Sequence, residues 1–179
     1  MMKTSVIAAV VAAGLASAAY AQSAGEKTGV NSTLGIAPKT DDFIREAATS
    51  DMLEIAAAKI AEQKGTPAEK SFAQTMVKDH TKTSGELKGL TPDNLKSAIP
   101  TSLDSSSQQK LDKLNGAQGA DFASNYDPMQ VSAHKDAVSL FERYAKGGDN
   151  PKLKNWAGRT LPHLKHHLEM AQALDKSRK

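Results

Sequence analysis

Apolar side chains recur every three to four residues along four long stretches of this chain, and no stretch alternates in the way a half-buried strand does. The first stretch begins at Thr40, with Thr40 or Asp41 placed to cap and acids filling the first turn, and runs without a breaker to Lys64 before Gly65. The second opens on Thr66-Pro67-Ala68-Glu69, a capping box with proline at the first helical position, and ends near Leu90 at Thr91-Pro92. The third covers Ala120 to Lys146, and Pro128 inside it predicts a kink or a short break. Gly147-Gly148-Asp149 closes it; Asn150 caps and Pro151 starts the fourth, which absorbs Pro162 and ends near Lys176.

The connections then fix the expected topology. A single turn joins the first two helices and another joins the last two, so each pair is an antiparallel hairpin. A helix of ~25 residues is roughly 37 Å long. The stretch from Thr91 to Gly119, with a short helix predicted from Ser105 to Asn115, is ample to run back along it. Two hairpins joined by a long crossover that contains a short helix predict an all-α, ferritin-like four-helix bundle over residues 40–176.

Residues 1–39 lack this pattern. Residues 1–21 combine Lys3, an alanine-rich apolar run from Val6 to about Ala19 and an Ala19-Tyr20-Ala21 cleavage pattern, which together read as a secretory signal peptide. Residues 22–39 carry glycine and proline with little periodicity and read as a flexible leader. An alanine-rich export signal of this type places the product in a bacterial periplasm or outside the cell, and no later stretch has the ~20 apolar residues that would cross a bilayer.

Composition narrows the chemistry. The 179 residues contain no cysteine, which removes disulfides, thiolate metal sites and cysteine nucleophiles, and leaves a protein on the oxidising side of the membrane to be held by packing alone. A net charge of +3 is too small to argue for a nucleic-acid partner. The basic residues Lys152, Lys154, Arg159, Lys165, Lys176, Arg178 and Lys179 read as a solvated helix face. Neither a nucleophile elbow nor a phosphate-binding glycine loop is present.

At 100° per residue, a titratable side chain falls on the apolar face of each long helix. Glu54 shares its face with Ala47, Ala57, Ala58 and Ala61; His80 lies among Phe72, Met76 and Leu87; His134 lies in the wide arc from Phe122 to Phe141; His167 lies between Trp156 and Leu153, with His163 one turn earlier at the edge and His166 pointing away. Imidazole and carboxylate converging in a bundle core suit one divalent ion of zinc, iron, copper or manganese. The same residues also suit a buried hydrogen-bond network in which Glu54 pairs with a histidine. A carboxylate-bridged di-metal centre would need Glu-x-x-His, whereas Val77, Thr160 and Leu164 stand three residues before His80, His163 and His167.

The phrases Met76-Val77-Lys78-Asp79-His80 and Leu161-Pro162-His163-Leu164-Lys165-His166-His167-Leu168, with Asp42-Phe43-Ile44 to Glu54 and Met129-Gln130-Val131 to His134, resemble the exported bacterial domain-of-unknown-function family 4142 over about residues 40–175. The resemblance implies a ferritin-like helical fold and an exported protein, points to the positions of Glu54, His80, His134 and His167, and implies no reaction. The expectation is a non-enzymatic, stress-related envelope protein with a Glu/His cluster that is structural or holds one metal ion. The alternative is a metal-dependent oxidoreductase or metal-storage protein of the ferritin-like class. No nucleic acid is expected as a partner, and a homo-oligomer is left open.

Overall fold

A computed structural model describes residues 22–178, and the signal-peptide reading of residues 1–21 lies outside them. The described chain is all-helical and holds no strand: α1 (Ala24–Lys27), α2 (Val30–Leu34), α3 (Thr40–Lys64), α4 (Pro67–Leu90), a 3₁₀ helix (Asp93–Ala98), α5 (Ser105–Gly116), α6 (Gly119–Gly147) and α7 (Pro151–Arg178). Among these, no helix is long and apolar enough to cross a membrane.

The sequence explains where the long helices start. Thr66 Oγ1 accepts from the Glu69 amide at 3.3 Å while the Thr66 amide donates to Glu69 Oε2 at 2.6 Å, closing the capping box that starts α4. Asn150 Oδ1 accepts from the amides of Lys152 and Leu153 at the start of α7. Gly65 makes the α3–α4 turn because a Cβ there would stand 2.7 Å from the Ala61 carbonyl oxygen. Thr40 does not cap α3. Its hydroxyl instead bonds the Tyr144 hydroxyl and the Asp149 carboxylate, tying the start of α3 to the end of α6.

Two expectations are corrected. Of the kink or short break expected at Pro128, the break does not form, and helix α6 continues through that residue. The ring is exposed, and the carbonyl that loses its intrahelical partner belongs to Ser124, which is exposed as well, so water can satisfy it while the buried neighbours Tyr126, Asp127 and Gln130 hold the helix. Residues 22–39, expected to form a flexible leader, form α1 and α2 and are pinned down. Arg143 donates to Glu26 Oε1 at 2.6 Å and to the Ile36 carbonyl at 2.8 Å, and the Ser23 amide donates to Asp42. Helices of four and five residues are too short to show a period, and their anchor lies more than a hundred positions away.

Helix α3 packs on α4 and α6, and α7 packs on α6 and α4, giving a helical bundle. Its interior holds two apolar clusters. In one, Phe43 stacks on Tyr144 with ring centroids 3.8 Å apart and meets Phe141 and Trp156 edge-on, joined by Leu87, Leu153 and Leu164. The other gathers Phe72, Met76, Phe122, Tyr126, Leu111, Leu114 and Ala171. Each long helix contributes to both clusters, and the polar positions singled out from the sequence fall where α4, α6 and α7 pass from one to the other: His80 between Met76 and Leu87, His134 between Tyr126 and Ala137, His167 between Leu164 and Ala171.

Candidate metal centre

His80, His134 and His167 are buried at 2%, 1% and 3% exposure, and their ring centroids stand 5.7, 5.5 and 5.6 Å apart, close to an equilateral triangle. One ring nitrogen from each lies within 4.8 Å of the others. Ligands on a tetrahedral ion with bonds of about 2.1 Å stand roughly 3.4 Å apart, somewhat closer than this limit.

The other nitrogen of each ring is held by the protein. His80 Nδ1 bonds Asp51 Oδ1 at 2.8 Å, and Asp51 in turn accepts from the hydroxyls of Thr83 and Ser84 through Oδ2. His134 Nδ1 donates to the Gln130 carbonyl at 2.9 Å, and His167 Nε2 bonds Asp79 Oδ2 at 3.0 Å. The remaining nitrogens, His80 Nε2, His134 Nε2 and His167 Nδ1, are buried and have no hydrogen-bond partner among the described residues. An imidazole that gives its proton to a carboxylate or carbonyl presents a lone pair on its other nitrogen, which is how metal-binding histidines are oriented. All three rings are arranged in this way.

Glu54 enters from α3 at 1% exposure, and neither carboxylate oxygen has a hydrogen-bond partner among the described residues. It lies outside the set of three atoms within 4.8 Å, yet its charge acts on His80, His134 and Tyr126. Gln130 contributes a buried side-chain amide, and Tyr126 a buried hydroxyl, that are likewise unpartnered.

Burial disfavours charge on all three rings, but their neighbours separate them. At His80 the burial penalty is outweighed by the Asp51 hydrogen bond and the charges of Glu54, Asp51 and Asp79, and the pKa rises. At His134 burial prevails over Glu54, with His80 adding repulsion, and the pKa falls. His167 is pushed down to about 4, chiefly by burial, against the Asp79 bond and with repulsion from His80 and His134. Burial thus favours the neutral ring at His134 and His167, whereas the acids around His80 favour its charged form.

The structure thus brings His80, His134 and His167 together, puts Glu54 beside them, and leaves His163 exposed on α7 outside the cluster. The sequence reading missed Asp51, Asp79 and the Gln130 carbonyl. Asp51 stands three residues before Glu54, within one turn on α3, and Asp79 directly precedes His80; a helical wheel that asks only which residues face the core passes over the acceptors that orient them. A groove of about 540 Å³ between α4 and α7 reaches the centre, with Asp79, His80, His163 and His167 among its walls.

No curated protein and no solved structure matches the chain. The family model described as "Domain of unknown function (DUF4142)" matches residues 6–174, and the chain belongs to that family.

Proposed function

We propose that this is an exported, ferritin-like helical-bundle protein of the bacterial envelope that holds one transition-metal ion in its core on His80, His134 and His167, with Glu54 as the neighbouring anion. The observation that carries this reading is that all three rings have one nitrogen committed to a protein acceptor and the other buried and unpartnered. A purely structural network would pair Glu54 with a histidine, and both its oxygens lack a partner among the described residues. A set of imidazoles and one carboxylate, without thiolate, suits zinc, copper, iron or manganese. The lack of Glu-x-x-His favours one ion over a bridged pair.

Export is supported by the apolar run and the Ala-Tyr-Ala pattern of residues 1–21. The ferritin-like arrangement is supported by the short turns within each helix pair and by a connection whose 3₁₀ helix and α5 both lie on α3. The role is binding or holding of the ion rather than turnover. One observation favours the second reading, a metal-dependent oxidoreductase: two of the three histidines line a groove wide enough for a small molecule.

Metal analysis and native mass spectrometry of the chain purified from the envelope, and after reconstitution with each of the four ions, test the reading. One ion per chain is expected. It is lost in a His80→Ala/His134→Ala variant that keeps its helical circular dichroism and retained in His166→Ala. A protein that stays empty with every ion overturns it. Visible absorption that changes with peroxide would move the reading to the oxidoreductase.

A further inference from the structure

An ion held at 1–3% exposure between two apolar clusters must have a way in, and the walls of the centre differ in what they offer. His134 packs edge-on to Phe72, with ring centroids 6.1 Å apart, and Glu54 is sealed on α3. Of the acceptors behind the rings, Asp51 is 9% exposed at its side chain, and the Gln130 carbonyl belongs to a residue with none of its surface exposed. Asp79 is 33% exposed, and it holds His167 on the groove side. Only His80 and His167 of the three histidines line the groove, and His163 lines it with them.

His163 stands four residues before His167, about 6 Å along the axis of α7 and on the same side of the helix. It is exposed and has no hydrogen-bond or ion-pair partner among the described residues. Lys82 and Arg159 share the groove with Asp79 and Glu86, so its charges nearly cancel. A cation is therefore drawn along it by coordination rather than by field. His163 is the exposed nitrogen ligand on that path, outside the buried pair His80 and His167, while Glu86 accepts from Trp156 Nε1 at 2.7 Å and Asp79 from His167.

Resting on the metal-binding reading, we propose that the groove between α4 and α7 is the route by which a divalent transition-metal ion enters and leaves, and that His163 is its capture ligand, passing the ion one helical turn inward to His167. The step is ligand exchange alone: water on the ion is replaced by the His163 ring, which is then replaced by His167 as His80 and His134 close around the ion. A capture ligand lowers the same barrier in both directions, so it changes rates and leaves the equilibrium where it was. A ligand of the final site does the opposite and appears in the affinity.

Zinc loading of the full chain from buffer, and its removal by excess chelator, followed by stopped flow, distinguish these roles. His163→Ala is expected to slow uptake and release alike by about tenfold with the dissociation constant within twofold, His163→Asp to recover most of the rate by restoring a donor, and His166→Ala, exposed on the same helix but outside the groove, to behave as the parent. Unchanged rates in His163→Ala, or faster rates because a smaller side chain widens the mouth, overturn the proposal. So does a weakened affinity with faster release only, which would make His163 a member of the centre. A chain that takes up no zinc at all fails earlier, on the metal-binding reading, and takes the route down with it.

Discussion

Two of the buried carboxylates of this bundle, Glu26 and Glu54, are treated in opposite ways. Glu26, at 8% exposure, accepts from Arg143 at 2.6 Å and from Asn31 at 2.9 Å, so both of its oxygens are bonded by the chain. Glu54, at 1% exposure, receives nothing from the described residues at either oxygen. A fold that brings an arginine from α6 to meet an acid on a four-residue helix has the means to neutralise a buried charge. At Glu54 no such pairing is made by the described residues, and the same place holds three imidazole nitrogens that also lack a hydrogen-bond partner. Paired burial at Glu26 is architecture; unpaired burial at Glu54, beside converging imidazoles, is what the proposed metal-binding reading accounts for.

The largest break in the comparison removes the cation from the paired acid. Arg143→Met leaves Glu26 buried and uncompensated and frees the Ile36 carbonyl, and is expected to destabilise the chain by about 3–5 kcal/mol in urea unfolding. Adding Glu26→Gln to Arg143→Met should recover most of that loss, since the penalty comes from the stranded charge. A single variant that unfolds at the parent's midpoint would show that the ion pair contributes nothing.

The converse substitution tests the unpaired acid. Glu54→Met removes a buried charge with no partner and replaces it with an apolar chain of similar length, so the metal-free protein is expected to gain about 1–3 kcal/mol. The same variant should bind metal less tightly, so that excess zinc raises its thermal midpoint by less than it raises the parent's. Loss of stability in the metal-free form would mean that Glu54 is already satisfied and would remove the contrast with Glu26.

These two acids also mark how far the sequence could be read. Helical periodicity placed Glu54, His80, His134 and His167 on inward faces, because a 100° turn per residue is a local property and each face carries enough alanine, leucine or aromatic residues to define it. What a wheel cannot contain is the partner on another helix. Asp51 meets His80 across α3 and α4, Asp79 meets His167 across α4 and α7, and Glu26 meets Arg143 across more than a hundred residues. His163 shows the same limit from the other side: at the edge of the apolar arc its burial depends on where α4 ends its contact with α7, and the structure leaves it in the groove. Pro128 predicts a kink or a short break because a hydrogen bond is lost there, while the exposure that makes the loss tolerable without a break is a property of the folded bundle.

The smallest predicted effect refines the paired side of the comparison, because Arg143 serves more than one acid. Glu46 on α3 accepts from the Gln22 side chain at 2.6 Å, and its pKa is pushed up from 4.5 to about 7, first by burial and then by the charge of Glu26, with Gln22 and Arg143 pulling it down and Asp42 adding repulsion. An acid whose folded pKa lies above its unfolded value binds a proton more tightly in the fold. Its contribution to stability is therefore fully present below about pH 4.5 and is lost as the pH rises through about 7. Glu46 is only partly buried, so solvent screening reduces what the shift alone would suggest, and about 1–2 kcal/mol is expected. Glu46→Gln should match the parent at pH 4, exceed it by that amount at pH 8, and flatten the fall between them in a series of urea titrations. Equal pH profiles would show that Arg143 neutralises Glu46 as completely as it does Glu26, whereas the expected divergence would show that one guanidinium is enough for the buried acid and not for the neighbour it leaves half-served.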